Sequence, residues 1–222
     1  MKKKGIALVE RQYLFPFVLI TSLFFLWGFA HAILDVLNKH FQELLTITRT
    51  HSAMIQATMY MGYFIMAIPA GLFINRHGYR KGVVLGLLLY GIGSLLFIPG
   101  QYIASFNMFL FSLFVIGCGL TFLETAANPY VTELGARETA ASRLNFAQSF
   151  NGLGCIFAPI LTGLLLFSDE DKGASGNVAL PYAVMGVIVL LAALAFMRVR
   201  LPEIPHEEEV DSEGHRVGLW AH

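Results

Sequence analysis

Residues 117–130 read GCGLTFLETAANPY and place one carboxyl group, that of Glu124, at the end of a long uncharged segment. The segment 106–122 contains no charged side chain and is long enough to cross a hydrocarbon core of about 30 Å as a helix. A carboxyl group at that depth costs roughly 2.5 kcal/mol or more, so it is expected to face a wet cavity or a partner. Helical spacing brings four polar side chains to one face: Thr121, Glu124, Thr125 and Asn128. The pattern predicts the polar lining of a pathway through a membrane; the alternative is a protonated Glu124 that only packs against neighbouring helices.

The composition is typical of a membrane protein. Hydrophobic residues make up 56% of the 222 positions and charged residues only 14%, whereas a soluble domain carries about 25% charged residues. The two cysteines, Cys118 and Cys155, lie in apolar runs, so no disulfide framework is predicted. The first apolar run follows a basic start and is longer than the apolar part of a signal peptide, so we interpret it as a retained helix.

Six apolar segments predict an all-α membrane protein with six transmembrane helices in one bundle. The predicted spans are residues 14–41, 52–74, 82–104, 107–130, 144–167 and 178–197. The bundle is predicted to occupy residues 1–201. Residues 202–222, which include Glu207, Glu208 and Glu209, are predicted to form a cytoplasmic tail or the start of a central loop.

Lysine and arginine are unevenly distributed among the segments that connect these spans. With the N-terminus inside, twelve of them fall in inside segments and three, Lys39, Arg49 and Lys172, fall in outside segments. Positive charges concentrate on the cytoplasmic side of membrane proteins. The bias predicts a multi-pass protein of the cytoplasmic (inner) membrane with both termini in the cytoplasm.

The connection after the second span reads GLFINRHGYRK, residues 71–81. Its glycines allow close helix approach and a tight turn, and its basic side chains suit helix C-termini or lipid phosphates. It resembles the signature loop between helices two and three of the major facilitator superfamily. The resemblance implies a loop that serves conformational change, with these residues: Gly71, Asn75, Arg76, Gly78, Arg80 and Lys81. Asn75 stands where the family more often has Asp, and the alternative is an ordinary loop that follows the charge rule.

Two parts of the chain resemble each other. Residues 25–35 read FLWGFAHAILD and residues 114–124 read FVIGCGLTFLE, so both follow the pattern F-x-x-G-x5-L-acid. In the second and fifth spans a glutamine precedes a glycine by six positions, as Gln56 precedes Gly62 and Gln148 precedes Gly154. The repeat predicts two three-helix units of inverted topology, with the two acids at equivalent places on cavity-facing helices. The alternative is two unrelated helices that each carry an acid.

The first span carries a polar face of its own. Steps of four, four and three bring together Trp27, His31, Asp35 and Asn38. An imidazole and a carboxyl group one turn apart can hydrogen-bond, which favours charged Asp35, whereas burial favours the neutral acid. A carboxyl group held between these influences can bind and release a proton, so Asp35 and His31 are candidates for proton coupling. The alternative places Asp35 at the outer membrane edge as a helix-end residue.

Amide and hydroxyl groups are interleaved with aromatic rings on the second and fifth spans. Such groups suit a sugar, whose hydroxyls need donors and acceptors and whose CH faces pack on rings. The predicted substrate-binding residues are Trp27, Gln56, Tyr60, Glu124, Asn128, Asn145, Gln148 and Asn151. Tyr63 and Ser149 belong to the same polar strips. Each group could equally join helices to each other, at about 0.6 kcal/mol apiece.

Two longer motifs narrow the resemblance. LETAANP at residues 123–129 and RLNFAQSFN at residues 143–151 look like the N-terminal half of the fucose permease and glucose/galactose transporter family, and the similarity covers about residues 14–202. It implies that Asp35 is linked to proton coupling and Glu124 to sugar recognition. The chain departs from the fucose permeases at His31 and Ala32, where they carry polar amides. The resemblance therefore leaves fucose, glucose, galactose and an amino sugar as equal candidates for the substrate.

The family has twelve helices, whereas six spans are predicted here. The chain is therefore expected to supply one half of a monosaccharide:proton symporter that works by alternating access, with a second six-helix half as its partner. The other expected partners are a monosaccharide, a proton and the lipid bilayer, with no nucleic acid, no cofactor and no metal. A non-transporting six-helix scaffold or partner subunit is the rival hypothesis. An enzyme is a weaker one, because His31 and Asp35 have no nucleophile or metal cluster at readable spacing.

Overall fold

The computed structural model describes residues 8–44, 49–103, 105–167 and 179–199. Side chains are described within these ranges except at residues 35, 37–44, 49–52 and 165–167. The predicted tail at 202–222 therefore lies outside the described residues, as do the side chains of Asp35 and Asn38.

Seven α-helices make up most of the described chain. They are α1 (Leu14–Leu44), α2 (Arg49–His77), α3 (Tyr79–Leu95), α4 (Phe97–Ile103), α5 (Phe106–Glu133), α6 (Ala140–Phe167) and α7 (Ala179–Arg198). Short 3₁₀ turns at Arg11–Tyr13 and Arg137–Thr139 precede α1 and α6. These helices overlap the predicted spans, and the third span is divided between α3 and α4.

The division between α3 and α4 falls at Leu96. Pro99 has no N–H, so the carbonyl of Leu95 loses the hydrogen bond that a regular helix would give it. The amides of Leu96 and Gly100 still bond four residues back, to the carbonyls of Ile92 and Leu96. One candidate span, Tyr79–Ile103, therefore runs through both helices.

Among the described residues, five helical segments are long and apolar enough to cross a membrane. They are Arg11–Leu34, Ala53–His77, Tyr79–Ile103, Phe106–Glu133 and Ala179–Arg198. Helix α6, with 28 residues, is also long enough, but Asn145, Gln148 and Asn151 make its first half more polar. The described helices therefore form the multi-pass, all-α bundle that the sequence predicts.

Helices α1 and α6 pack closely against each other. A Cβ atom on Gly28 would lie 2.0 Å from the carbonyl oxygen of Asn151, and one on Gly154 would lie 2.3 Å from that of Phe25. No side chain fits at either position, because real Cβ atoms do not come so close to backbone. Two glycines thus set the distance between these two helices.

The crossing of α2 and α5 has the same geometry. A Cβ atom on Gly117 would lie 2.3 Å from the carbonyl oxygen of Met59, and one on Gly62 would lie 2.7 Å from that of Phe114. In both crossings the contacted residue stands three positions before the partner glycine, and the four glycines are those of the sequence repeat. The predicted inverted repeat is therefore confirmed in the backbone contacts.

Helix α3 packs against α5 and α7 and lies on the outside of the α2–α5 pair. Glycines again allow the approach to α5, since a Cβ atom on Gly86 would lie 2.8 Å from the carbonyl oxygen of Gly119 and one on Gly93 would lie 3.0 Å from that of Ser112. Helix α7 packs mainly against α3 and only marginally against α1 within the described residues. The two outer helices are therefore not placed alike.

Two arginines bind carbonyl groups at the C-terminal ends of neighbouring helices. The buried guanidinium of Arg143 donates to the carbonyls of Val131 and Ala136, both at 3.0 Å. At the start of α3, Nε of Arg80 donates to the carbonyl of Phe196 at 3.2 Å. Helix ends leave such carbonyls unpaired, and a cation is favourable at the negative end of the helix dipole. The two arginines therefore stabilise the ends of α5 and α7.

Candidate functional site

Four ring side chains from α1 and α2 form what we term the aromatic cluster, which consists of Trp27, His31, Tyr60 and Tyr63. The indole N–H of Trp27 donates to the hydroxyl of Tyr63 at 3.0 Å. The His31 ring lies 6.0 Å from the Trp27 ring and 5.9 Å from that of Tyr63, between centroids. Tyr60 extends the series, 6.2 Å from Tyr63. The cluster thus joins two helices that otherwise have few contacts with each other.

The histidine of this cluster has a defined orientation. Its Nδ1 lies 3.1 Å from the carbonyl oxygen of Trp27, and because a carbonyl oxygen only accepts, Nδ1 carries a hydrogen. Nε2 is then the atom of neutral His31 that can take up a proton. The side chain of Asp35 lies outside the described set, so the pairing of His31 with Asp35 stays a prediction.

Glu124 lies on α5, which crosses α2 at Gly62, and its side chain is half-buried. The threonines of its predicted polar face are satisfied within their own helix. Thr121 donates to the carbonyl of Gly117 and Thr125 donates to that of Thr121, each at 2.8 Å. Glu124 and Asn128 are therefore the groups of this face that remain for other partners.

Asn128 presents an acceptor one turn from Glu124. Its amide oxygen is buried and has no hydrogen-bond partner among the described residues. A buried polar atom without a partner costs about 1–3 kcal/mol, so a donor from another molecule or another part of the protein would stabilise it. A carboxyl group and an amide oxygen side by side suit a ligand that offers several hydroxyl donors.

The polar strip of α6 is divided between packing and exposure. The amide nitrogen of Asn151 donates to the carbonyl of Phe24 on α1 at 3.3 Å, so this side chain contributes to helix packing. Ser149 donates to a carbonyl of its own helix at 2.6 Å. Asn145 and Gln148 are exposed. The assignment of all three amides to a ligand remains a prediction.

Helix α2 is the least covered of the candidate spans. In Ala53–His77 only 22% of the most apolar window is buried, against 61% in Phe106–Glu133. Its exposed face includes Gln56, Tyr60 and Phe64. This face is available to a partner or to lipid, and the predicted ligand residues Gln56 and Tyr60 lie on it.

The loop between α2 and α3 turns at Gly78, whose φ of 85° is the left-handed conformation that favours glycine. Asn75, Arg76 and Lys81 are exposed, whereas Arg80 binds the end of α7. The sequence also led us to expect a close helix approach at Gly71. No neighbouring atom lies within 4 Å of a Cβ built there, because this part of α2 belongs to its uncovered face.

Tyr63 is more central than its place in a polar strip indicated. It accepts the hydrogen bond of Trp27 on α1, and it directly follows Gly62, where α2 crosses α5. A partial signal was present in the sequence, because Tyr63 follows Gly62 of the repeated Gln–Gly motif. Nothing in the sequence predicted the hydrogen bond from Trp27 to Tyr63, because that bond depends on how α1 and α2 lie side by side.

The sequence profile of the Major Facilitator Superfamily matches residues 17–221. The chain belongs to the major facilitator superfamily. The resemblance found in the loop at 71–81 and in the repeated motifs is thereby confirmed.

The similar proteins of this superfamily include sugar transporters. The chain is 38% identical over 224 residues to the L-fucose-proton symporter of Haemophilus influenzae, covering 90% of this chain and 52% of the relative. It is 36% identical over 215 residues to the glucose/galactose transporter of Brucella abortus, covering 95% of this chain and 52% of the relative. The chain thus spans about half the length of the curated relatives it matches.

Solved structures agree on the fold. The E. coli fucose:proton symporter matches with a TM-score of 0.72 and 37% identity, over 86% of this chain and 50% of that one. The proton:xylose symporter XylE matches with the same TM-score at 17% identity, which bears on the fold alone. The described bundle therefore has the architecture of half a major facilitator fold, as the sequence predicted.

Proposed function

We propose that this chain supplies the N-terminal half of a monosaccharide:proton symporter that works by alternating access. The observation that carries the proposal is the aromatic cluster, in which Trp27 and His31 of α1 meet Tyr63 of α2. It places ring faces and a titratable imidazole next to Gly62, where α2 crosses α5, and Glu124 lies on α5 of the same half-fold. The names of the relatives, fucose-proton symporters and glucose/galactose transporters, support a sugar and a proton as the transported species.

In this proposal the sugar lies against α1 and α5. Trp27 and Tyr60 offer ring faces to its CH groups, and Glu124 and Asn128 accept hydrogen bonds from its hydroxyls. Gln56, Asn145, Gln148 and Asn151 extend the polar lining along α2 and α6. No bond of the sugar is made or broken, so the protein acts without covalent chemistry.

Proton coupling is assigned to Asp35 and His31. Both lie on α1, one turn apart, and Nε2 of His31 is the site where the neutral ring accepts a proton. A carboxyl group whose protonation changes with the direction in which the cavity opens can tie proton movement to sugar movement.

The partner of this half is a second six-helix half, and the sugar lies between the two. The exposed face of α2, with Gln56, Tyr60 and Phe64, is the surface we assign to that partner. The loop residues Gly71, Asn75, Arg76, Gly78, Arg80 and Lys81 lie on the cytoplasmic side, where they guide the rocking of the halves. Both termini are on that side of the inner membrane.

Proteoliposomes test this function. The chain is assembled with a second six-helix half, a pH gradient is imposed, and the uptake of a panel of labelled monosaccharides is measured. We expect one or more sugars to accumulate, and accumulation to stop when a protonophore removes the gradient. Assembled protein that folds but moves no sugar would favour the non-transporting scaffold.

A further inference from the structure

We propose that a groove between α1, α6 and α7 binds an anionic phospholipid, with one acyl chain lying along the groove and the headgroup at the end nearest the start of α1. The groove has a volume of about 640 Å³. Its lining is almost wholly apolar and includes Phe17 of α1, Phe146 and Phe150 of α6, and Ile188 and Ala192 of α7. This site does not depend on the transported substrate.

The groove exists because α7 is held away from α1. On the other side of the bundle α3 lies close to α5 at Gly93, where a Cβ atom would come within 3.0 Å of backbone. Gly91 and Gly186 touch across the α3–α7 contact, a Cβ on Gly186 lying 3.1 Å from the carbonyl oxygen of Gly91. When the sequences of α3 and α7 are aligned on Gly91 and Gly186, Gly93 of α3 corresponds to Ile188 of α7. Ile188 does not fill the gap, since its side chain is 45% exposed and lines the groove.

Two hydroxyl side chains line this apolar surface, and that of Ser22 donates to the carbonyl of Leu19 in its own helix at 2.6 Å. Thr21 lines the groove and is only 3% exposed, and its hydroxyl has no hydrogen-bond partner among the described residues. Within a bilayer no bulk water can satisfy such a group. The ester carbonyls of a phospholipid are acceptors attached to an acyl chain, so one occupant supplies both the apolar filling and the missing acceptor.

Two arginines lie beyond the end of the groove nearest the start of α1, and the carboxylate of Glu10 next to Arg11 is bound by the amide of Gln12. Arg11 precedes Phe17 by six residues and Arg198 follows Ala192 by six, so each lies about 9–10 Å beyond the groove along its helix. Both side chains are exposed. Arginine binds phosphate oxygens through its forked N–H groups, and basic residues at a membrane surface attract anionic lipids. This charge distinguishes an anionic phospholipid from a neutral one.

The test is native mass spectrometry of the purified chain after exchange into detergent micelles that contain either phosphatidylglycerol or phosphatidylcholine. We expect one phosphatidylglycerol molecule to be retained in preference to phosphatidylcholine. Ile188→Trp fills the groove and should abolish retention. The matched control is Ile92→Trp on the exposed side of α3, which should retain lipid as the parent chain does.

Two conservative variants separate the parts of the site. Arg11→Gln with Arg198→Gln should lower the preference for phosphatidylglycerol about five-fold per arginine. Thr21→Val has nearly the same size and should lower retention of both lipids several-fold, which keeps the proposal testable if Ile188→Trp does not fold.

Three results would overturn the proposal. They are equal retention of the two lipids by the parent chain, retention that is unchanged by Thr21→Val and by Ile188→Trp, and a groove filled instead by a second copy of the chain, detected as a dimer that Ile188→Trp dissociates.

Discussion

The two inner helix crossings are nearly superposable in their contacts, whereas the two outer helices are not. Gly28 with Gly154 and Gly117 with Gly62 bring backbones together in the same register. Outside them, α3 fits onto α5, while α7 stands away from α1. The repeat is therefore kept where glycines meet backbone and lost at the outer helices, where α7 has Ile188 in place of the Gly93 of α3.

The chemistry carried by the two equivalent helices also differs. The positions on α5 that match Trp27 and His31 are Ile116 and Leu120, both buried in the core. Asp35 and Glu124 are the matching acids. Helix α1 therefore carries aromatic rings and an imidazole near Asp35, whereas α5 carries the amide of Asn128 near Glu124. The proposed assignment of proton coupling to α1 and of sugar recognition to α5 follows this difference.

The largest effect is expected from adding a side chain at the glycines where the helices cross. Gly28→Ala and Gly117→Ala each place a Cβ atom within 2.3 Å of a carbonyl oxygen, and both should destabilise the protein at or above the upper end of the ~1–3 kcal/mol typical of overpacking. Thermal unfolding in detergent measures this. Gly152→Ala, with no atom within 4 Å of its Cβ, is the matched control. A tolerated Gly117→Ala beside a damaging Gly28→Ala would show that the crossings are not equivalent.

Next in size is the loss of coupling at the first acid of the repeat. Asp35→Asn, in a transporter assembled with a second half, should abolish accumulation driven by a pH gradient, because the side chain can no longer exchange a proton. Sugar exchange across an equilibrated membrane needs no net proton movement and should survive at a reduced rate. If the variant still concentrates sugar, Asp35 is not the coupling group; if exchange is lost as well, Asp35 serves structure or binding.

The second acid of the repeat should give a smaller and different effect. Glu124→Gln removes a charged acceptor for a sugar hydroxyl, worth roughly 1.5–3 kcal/mol, so affinity should fall about ten-fold or more. Equilibrium binding of labelled sugar measures it, with thermal unfolding as the check on folding. Unchanged affinity would return Glu124 to a packing role and end the proposed division between the acids.

The smallest effect concerns the link between the two helices. Tyr63→Phe removes the acceptor of the Trp27 indole, a bond worth about 0.5–1.5 kcal/mol, so sugar affinity should fall about two- to ten-fold. The chain has two tryptophans, Trp27 and Trp220, so Trp27 fluorescence can be followed after Trp220→Phe. Its emission should shift in Tyr63→Phe and stay unchanged in Tyr60→Phe. A shift in neither variant would mean that Tyr63 does not position the indole.

The sequence predicted those parts of the fold that depend on patterns within a single helix. Apolar length predicted the membrane helices, and the repeated motifs predicted two related units, but not that their glycines lie at the helix crossings. The break between α3 and α4 was missed, because Pro99 lies in an otherwise continuous apolar run. The position of α7 away from α1 was not predicted either. It depends on which residues of neighbouring helices lie against Gly93 and Ile188 in the folded protein.

The candidate site was predictable to a similar degree. The residue types were recognised from their spacing on α1, α2, α5 and α6, but their partners were not. The amide of Asn151 binds the carbonyl of Phe24, and Tyr63 accepts from Trp27; both bonds join different helices. A helical pattern shows which face a side chain occupies, and it contains no information on which carbonyl of another helix lies opposite.

The burial of Arg143 bears on how the chain reaches its membrane. Arginines near helix ends direct insertion while they are still in water, yet in the folded bundle this one is wholly enclosed and bound to carbonyls of α5 and the following turn. On the proposed topology, in which Arg143 is on the cytoplasmic side, its charge would serve insertion first and packing afterwards. A lysine at this position would keep the positive charge that directs topology but lose the forked N–H groups that bind the carbonyls. Membrane insertion and helix packing are therefore separate functions of the same side chain.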